Sequence, residues 1–295
     1  LMGIPIPLMY LFEDKNGKKQ VVDGRQRISA ILDFLEGKFK LNNLRILKQF
    51  NGCCFADLDL KQQGVIEDFQ LLFYIIQPPT PERVKYDIFD RVNRGGTPLN
   101  KQEMRNALYR GRCTRMLDKL CCSPEFLIAT GRSINKERMK DQYVVLRAMA
   151  FLMLHRGEFK DIPALQYRGD IDDFLARFMV YVNDNAPEKL IVDYENLFIR
   201  CMQISYDLLG ENGFRFSGNG IRRPINMPLF EALSYLFSFV PEKIDYTWVS
   251  RLILDIESVK EEFDDSRYFS GNIDSTTSVS FRFDRMDKII NRIQL

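Results

Sequence analysis

Histidine and tryptophan are almost absent: the 295 residues hold one of each, His155 and Trp248. A lone histidine excludes His-rich metal centres and nuclease chemistry that needs two imidazoles. The six cysteines are Cys53, Cys54, Cys113, Cys121, Cys122 and Cys201; two vicinal pairs and no C-x-x-C spacing fit neither a zinc site nor a secreted disulfide framework. They are expected to be reduced, mostly buried thiols of a cytoplasmic protein, with Cys121 and Cys122 a buried pair. No uninterrupted apolar run reaches the roughly 18 residues that span a bilayer, so no membrane partner is expected. Leu1–Leu11 is apolar, but Pro5 and Pro7 interrupt it and no basic region precedes it, so it does not read as a signal peptide. The chain starts at Leu1 rather than Met, and the natural N-terminus is expected upstream. Net charge is only +2, which excludes a histone-like sheath around nucleic acid while allowing a local basic patch.

The composition, 45% apolar and 28% charged, is that of a globular chain long enough for one large domain or two ordinary ones. Residues 8–13 and 19–22 read as strands around Asn16-Gly17, a hairpin signal. Ile28, Ile31, Leu32 and Leu35 then repeat at helical spacing before Gly37. One or two short strands are expected in 44–56, a short helix after Asp59, a buried strand over 69–77 before Pro78-Pro79, and a helix over 82–93. Beyond about residue 110 helical patterns dominate, at roughly 113–122, 137–155, 170–183, 187–209, 227–239 and 246–263. A polar loop is expected over 264–280 and a last helix over 282–293. The fold class is α+β: a small mixed α/β unit, 1–110, followed by a larger all-α helical unit, 111–295.

Two motifs carry chemistry. In Val21-Val22-Asp23-Gly24-Arg25-Gln26-Arg27-Ile28 a strand ends, a glycine turns the chain and a helix begins. A helix N-terminus has unpaired N–H groups and a partial positive charge, so it favours anions. Arg25 and Arg27 oppose that dipole, and a bound phosphate would compensate them. The structural alternative is that both arginines are solvated and Asp23 caps the helix. The second motif, Phe89–Asn100, joins two helices through Gly95-Gly96, with Asn100 and Glu103 forming a capping-box pattern. Residues 83–119 hold ten Lys/Arg against four Asp/Glu, a local +6, whereas 161–195 holds three against eight, a local −5. The basic stretch suits either DNA phosphates or the wall of an anion pocket.

Together these segments resemble the N-terminal family of GmrSD-type restriction endonucleases. Asp23–Ile28 is similar to that family's D-G-Q-Q-R-L signature. Gly3–Pro7 resembles the stretch before it, and Phe89–Arg105 the F-x-R-x-N-x-G-G-x-x-L-x-x-x-E-x-R stretch. The resemblance covers about residues 1–110, with weak echoes at Arg223–Phe230. It implies a ParB/sulfiredoxin-like unit in which the D-G-x-x-R segment cradles nucleotide phosphates, and a place in defence against phage or modified DNA. Arg25 departs from the family's usual Gln, the segment expected before Gly3 is missing, and a His-Asn-His nuclease module is absent.

Two functional readings follow. In the first, the chain is a nucleotide-binding regulatory module of a restriction or anti-phage system, with Mg-dependent hydrolysis of a nucleoside triphosphate left open. Gly24, Arg25, Gln26 and Arg27 would hold phosphate. Asp23 would hold Mg²⁺, and Asp23 with Gln26 would serve turnover; Arg91, Asn93, Arg105 and Asn106 would close the opposite wall. In the second, the chain is a non-enzymatic DNA-binding or partner-docking protein that uses the 83–119 segment, with Arg94, Arg112, Arg222 and Arg223 contacting DNA. The partners implied are a nucleoside triphosphate, DNA, a separate nuclease or effector subunit, and further copies of the chain. His155, at the end of an apolar helix, is expected to be structural.

Overall fold

The computed structural model describes residues 1–13, 17–77, 84, 88, 99–217, 222–241 and 246–293. The chain forms two compact units, Leu1–Leu99 and Asn100–Leu295. It is α+β, with a small sheet near the N-terminus followed by a mostly helical region. The expected helix over 82–93 lies outside the described residues, apart from Val84 and Ile88, as does Asn16 of the hairpin signal.

In the first unit, β1 (Met9–Glu13) is the central strand of three. It pairs antiparallel with β2 (Lys19–Asp23) and parallel with β3 (Phe73–Ile76). Tyr10 lies opposite Asp23 and Leu11 opposite Val21, so Val22 is an extra residue on β2. Such a bulge bends a strand and re-aims its end, here at the point where β2 gives way to α1 (Arg25–Leu35). The unit's core is small: Met9, Val22, Phe34, Leu58 and Ile76 are buried, and Phe55 meets Phe34 edge-on at 6.1 Å. Asp59 caps α2 (Leu60–Glu67) by accepting the Gln62 N–H at 2.8 Å, and Gln62 returns a bond in a capping box.

Two expectations for this unit are corrected. Residues 44–56 form no strand; they hold short 3-10 turns at Lys48–Phe50 and Phe55–Asp57. The apolar run 69–77 is not a buried strand either. Only Phe73–Ile76 is extended, it lies at a sheet edge, and of these four only Ile76 is buried. Apolar composition alone cannot tell a strand covered on both faces from one left at an edge.

The second unit begins with α3 (Lys101–Leu108) and α4 (Arg112–Cys121), followed by α5 (Pro124–Ala129) and α6 (Lys140–His155). Then come α7 (Ile171–Asp184), α8 (Glu188–Leu209), α9 (Met227–Phe237), α10 (Tyr246–Asp265) and α11 (Thr276–Ile293). Asn100 caps α3 by accepting the Gln102 and Glu103 N–H groups, and Glu103 completes the expected box. On α4, Cys113, Met116, Leu117, Leu120 and Cys121 form one buried stripe at the spacing of an amphipathic helix. Cys122 follows the helix and is exposed while Cys121 is buried, which corrects the expected buried pair. Consecutive residues at a helix end point about 100° apart, so one meets the core and the next meets water.

The centre of this unit is α6 against α9, which also packs on α8 and α11. Residues 144–153 of α6 and 228–237 of α9 are buried without a break. A helix buried all round is mostly apolar all round, here with Arg147 and Glu231 as buried charged exceptions, which explains why the helical periodicity of both segments is blurred in the sequence. The expected loop 264–280 is shorter than its polarity suggests. A 3-10 turn occupies Arg267–Phe269 and α11 begins at Thr276. Ser275 accepts the Ser278 N–H, so the polar residues mark a helix start.

Candidate functional site

The first motif forms a tight corner whose glycine is required twice over. Gly24 has φ +95° and ψ 5°, a left-handed conformation that costs other residues steric strain. A β-carbon there would also lie 2.5 Å from Met9 Cγ and 2.6 Å from Met9 Sδ, and Met9 is completely buried. The sheet thus pins the corner from below. Gly24 is the N-cap of α1 and provides no side-chain cap, and the first turn carries no acidic residue. The helix therefore starts with its dipole uncompensated, while the side chains of Arg25 and Gln26 are exposed.

Arg27 folds back instead. Its Nη1 donates to the Pro7 carbonyl at 2.7 Å, and its Nη2 bonds and ion-pairs with the Asp23 carboxylate. One guanidinium thus ties the N-terminal segment, the end of β2 and the first turn of α1. This corrects the structural alternative for Asp23, which does not cap the helix, and for Arg27, which is not simply solvated, while Arg25 is exposed as that alternative supposes. Of the expected phosphate ligands in this segment, Gly24, Arg25, Gln26 and Arg27 are brought to one corner, with Arg25 and Gln26 the two whose side chains are presented to solvent. Among the described residues no group of three or more His, Cys, Asp or Glu is arranged to hold a metal ion. A magnesium ion here would rely on Asp23 together with oxygens supplied by a phosphate, a donor set that suits an ion usually bound by one or two carboxylates plus phosphate.

The residues expected on the opposite wall have other commitments or lie outside the described residues. Arg91 and Asn93 fall in the latter group, as does Arg94, which was expected to contact DNA. Arg105 is 1% exposed and donates to Asp172 Oδ1 at 2.8 Å and to Gln102 Oε1 at 3.0 Å, with its guanidinium 5.1 Å from the Tyr143 ring centroid. Asn106 accepts from Gln102 at 2.9 Å and donates to Gln142 and to the Met139 sulfur. Arg112 donates to the Ala186 carbonyl at 2.9 Å.

A pattern joins these contacts. Lys101 and Arg105 both pair with Asp172, and Lys119 pairs with Glu195. Three of the ten cations of the +6 segment are thus paired with two carboxylates of the −5 segment within the fold. Burial pulls the Asp172 carboxyl upward, but hydrogen bonds from Lys101 and Arg105 outweigh it and hold the group below the usual carboxylate range. Nothing in the linear charge count distinguishes this internal pairing from a free basic face.

Arg222 and Arg223, the remaining expected DNA contacts, bear ion pairs to Glu211 (2.7 Å) and Asp264 respectively. They line a cavity of about 360 Å³ with Ser133, Lys140 and Arg215. Arg215 escaped sequence reasoning; its one signal is a charge set between Phe214 and Phe216, both buried. A second set, also unmarked in the sequence, lies in the core of the helical unit. There Glu231, fully buried, takes Arg147 on one oxygen and Arg282 on the other. His155 stacks on Phe283 with ring centroids 3.6 Å apart.

Residues 1–110 match the family model described as GmrSD restriction endonuclease, N-terminal domain. No curated protein and no solved structure matches the chain. No helix among the described residues is long and apolar enough to cross a membrane.

Proposed function

We propose, on the match of residues 1–110 to the GmrSD restriction endonuclease N-terminal domain model, that they form the nucleotide-responsive regulatory module of a DNA-restriction or anti-phage system. The supporting observation is the corner at Gly24: a helix start without a side-chain cap, its glycine locked over Met9, with an exposed arginine and glutamine in the first turn. The phosphates of a nucleoside triphosphate would accept from the first backbone N–H groups of α1, and Arg25 would supply the opposing charge. Arg27 would hold the corner in shape through Pro7 and Asp23. Gln26 would orient a water toward the terminal phosphate, which is the positioning that hydrolysis needs. Magnesium, held by Asp23 and the phosphates, would supply charge neutralisation.

The test is thermal unfolding of the chain with ATP, GTP, CTP or UTP, each with and without Mg²⁺. A ligand specific to the folded form at a hundredfold excess over its Kd adds about 2.7 kcal/mol. At least one nucleotide should raise the melting temperature, and Arg25→Ala should abolish the rise. No shift with any nucleotide, or an undiminished shift in Arg25→Ala, overturns the proposal.

A further inference from the structure

Four arginines are buried among the described residues: Arg105, Arg147, Arg215 and Arg282. Three hold a carboxylate, on Asp172, on Glu231 and Asp274, and on Glu231 respectively. Arg215 is 4% exposed and holds none. Its Nε donates to the Glu211 carbonyl at 3.2 Å, its Nη1 to the Arg223 carbonyl, and its Nη2 to the Thr130 carbonyl at 3.2 Å and to the Ser133 hydroxyl. Every partner is neutral. A buried charge with no carboxylate bonded to it is costly, and this one lines a cavity.

The cavity gathers more charge of the same sign. Lys140 lines it and is exposed, with no carboxylate partner among the described residues. Arg222 and Arg223 line it as well, each sharing its charge with one acid. Four cations thus meet two carboxylates. Burial and the Arg222 charge lower the proton affinity of Arg215, with the Glu211 carboxylate acting the other way. Gly131 makes room for this packing, because a β-carbon there would collide with the Arg222 guanidinium and lie 2.7 Å from the Glu211 carboxylate. A volume of about 360 Å³ is within the range of small-ligand sites, and Ser133 adds a hydroxyl beside Arg215.

We propose that the cavity lined by Ser133, Lys140, Arg215, Arg222 and Arg223 binds a phosphate oxyanion, as a site of the helical unit additional to the Gly24 corner. The guanidinium of Arg215 supplies fixed charge at the base, while Lys140 and Arg222 close on the anion from exposed positions. The proposal does not depend on nucleotide binding at the corner.

The experiment is calorimetric titration of the full chain with inorganic phosphate, then with AMP and with a short single-stranded oligonucleotide. Phosphate should bind the parent, and Arg222→Ala should raise its Kd by about tenfold or more, the loss expected for one charge-assisted bond. Lys140→Ala should weaken binding in the same direction, and it serves if Arg222→Ala fails to fold, since an exposed lysine leaves no buried partner behind. An oligonucleotide that competes with phosphate assigns the site to a phosphodiester backbone. Competition by AMP alone assigns it to a free phosphate monoester, and either outcome supports the site. No phosphate binding, an unchanged Kd in both variants, or binding lost in Arg25→Ala and retained in Arg222→Ala overturns it.

Discussion

Met9 occupies the space that a side chain on residue 24 would need: a β-carbon on Gly24 would lie 2.6 Å from the Met9 sulfur. The central strand and the corner that follows its neighbour are thereby made interdependent. Gly24→Ala should destabilise the chain by about 2–4 kcal/mol, combining left-handed backbone strain with overpacking. Adding Met9→Ala should relieve the collision but not the strain, giving a favourable coupling in a double-mutant cycle measured by urea unfolding. Purely additive losses would show that the two residues do not share that space.

The buried trio Arg147, Glu231 and Arg282 makes a second prediction. Removing the shared acid by Glu231→Ala leaves the buried Arg282 with no carboxylate and Arg147 with Asp274 alone, and should cost about 3–5 kcal/mol. Replacing all three with Met or Leu should cost less than that single change, because desolvation of the ions is removed with them. Chemical denaturation of the two variants decides it; a triple variant less stable than Glu231→Ala would mean that the trio stabilises the core beyond its own desolvation cost.

His155 gives a pH dependence. Burial, reinforced by the Arg282 charge, pulls its imidazole down to about 3, and its Nε2 is buried without a hydrogen-bond partner. An unfolded histidine titrates near ~6.5, so between that value and the folded one the unfolded chain binds the extra proton. The contribution is complete above the unfolded pKa and declines as pH falls, by at most about 1.4 kcal/mol per pH unit. His155→Phe, which keeps the stack on Phe283, should flatten the stability profile across this window. Parallel profiles for parent and variant in acid would contradict the buried neutral imidazole.

Local sequence determined much of this protein. Asn100 with Glu103 and Asp23-Gly24 before an apolar repeat fixed where helices start, because capping and left-handed turns depend on a few neighbouring residues. The stripe on α4 was equally plain, since one helical face repeats within the segment itself. Tertiary structure alone decided the fate of charge and exposure. The basic run near residue 110 has its acids some seventy residues away, in Asp172 and Glu195. Arg215 meets its neutral partners from residues 130, 133, 211 and 223. Apolar residues of β3 stay half in solvent, since an edge position is a property of the sheet. Coulombic pairing and burial depend on distance in space, which a linear pattern carries only where the chain folds back on itself within a few residues.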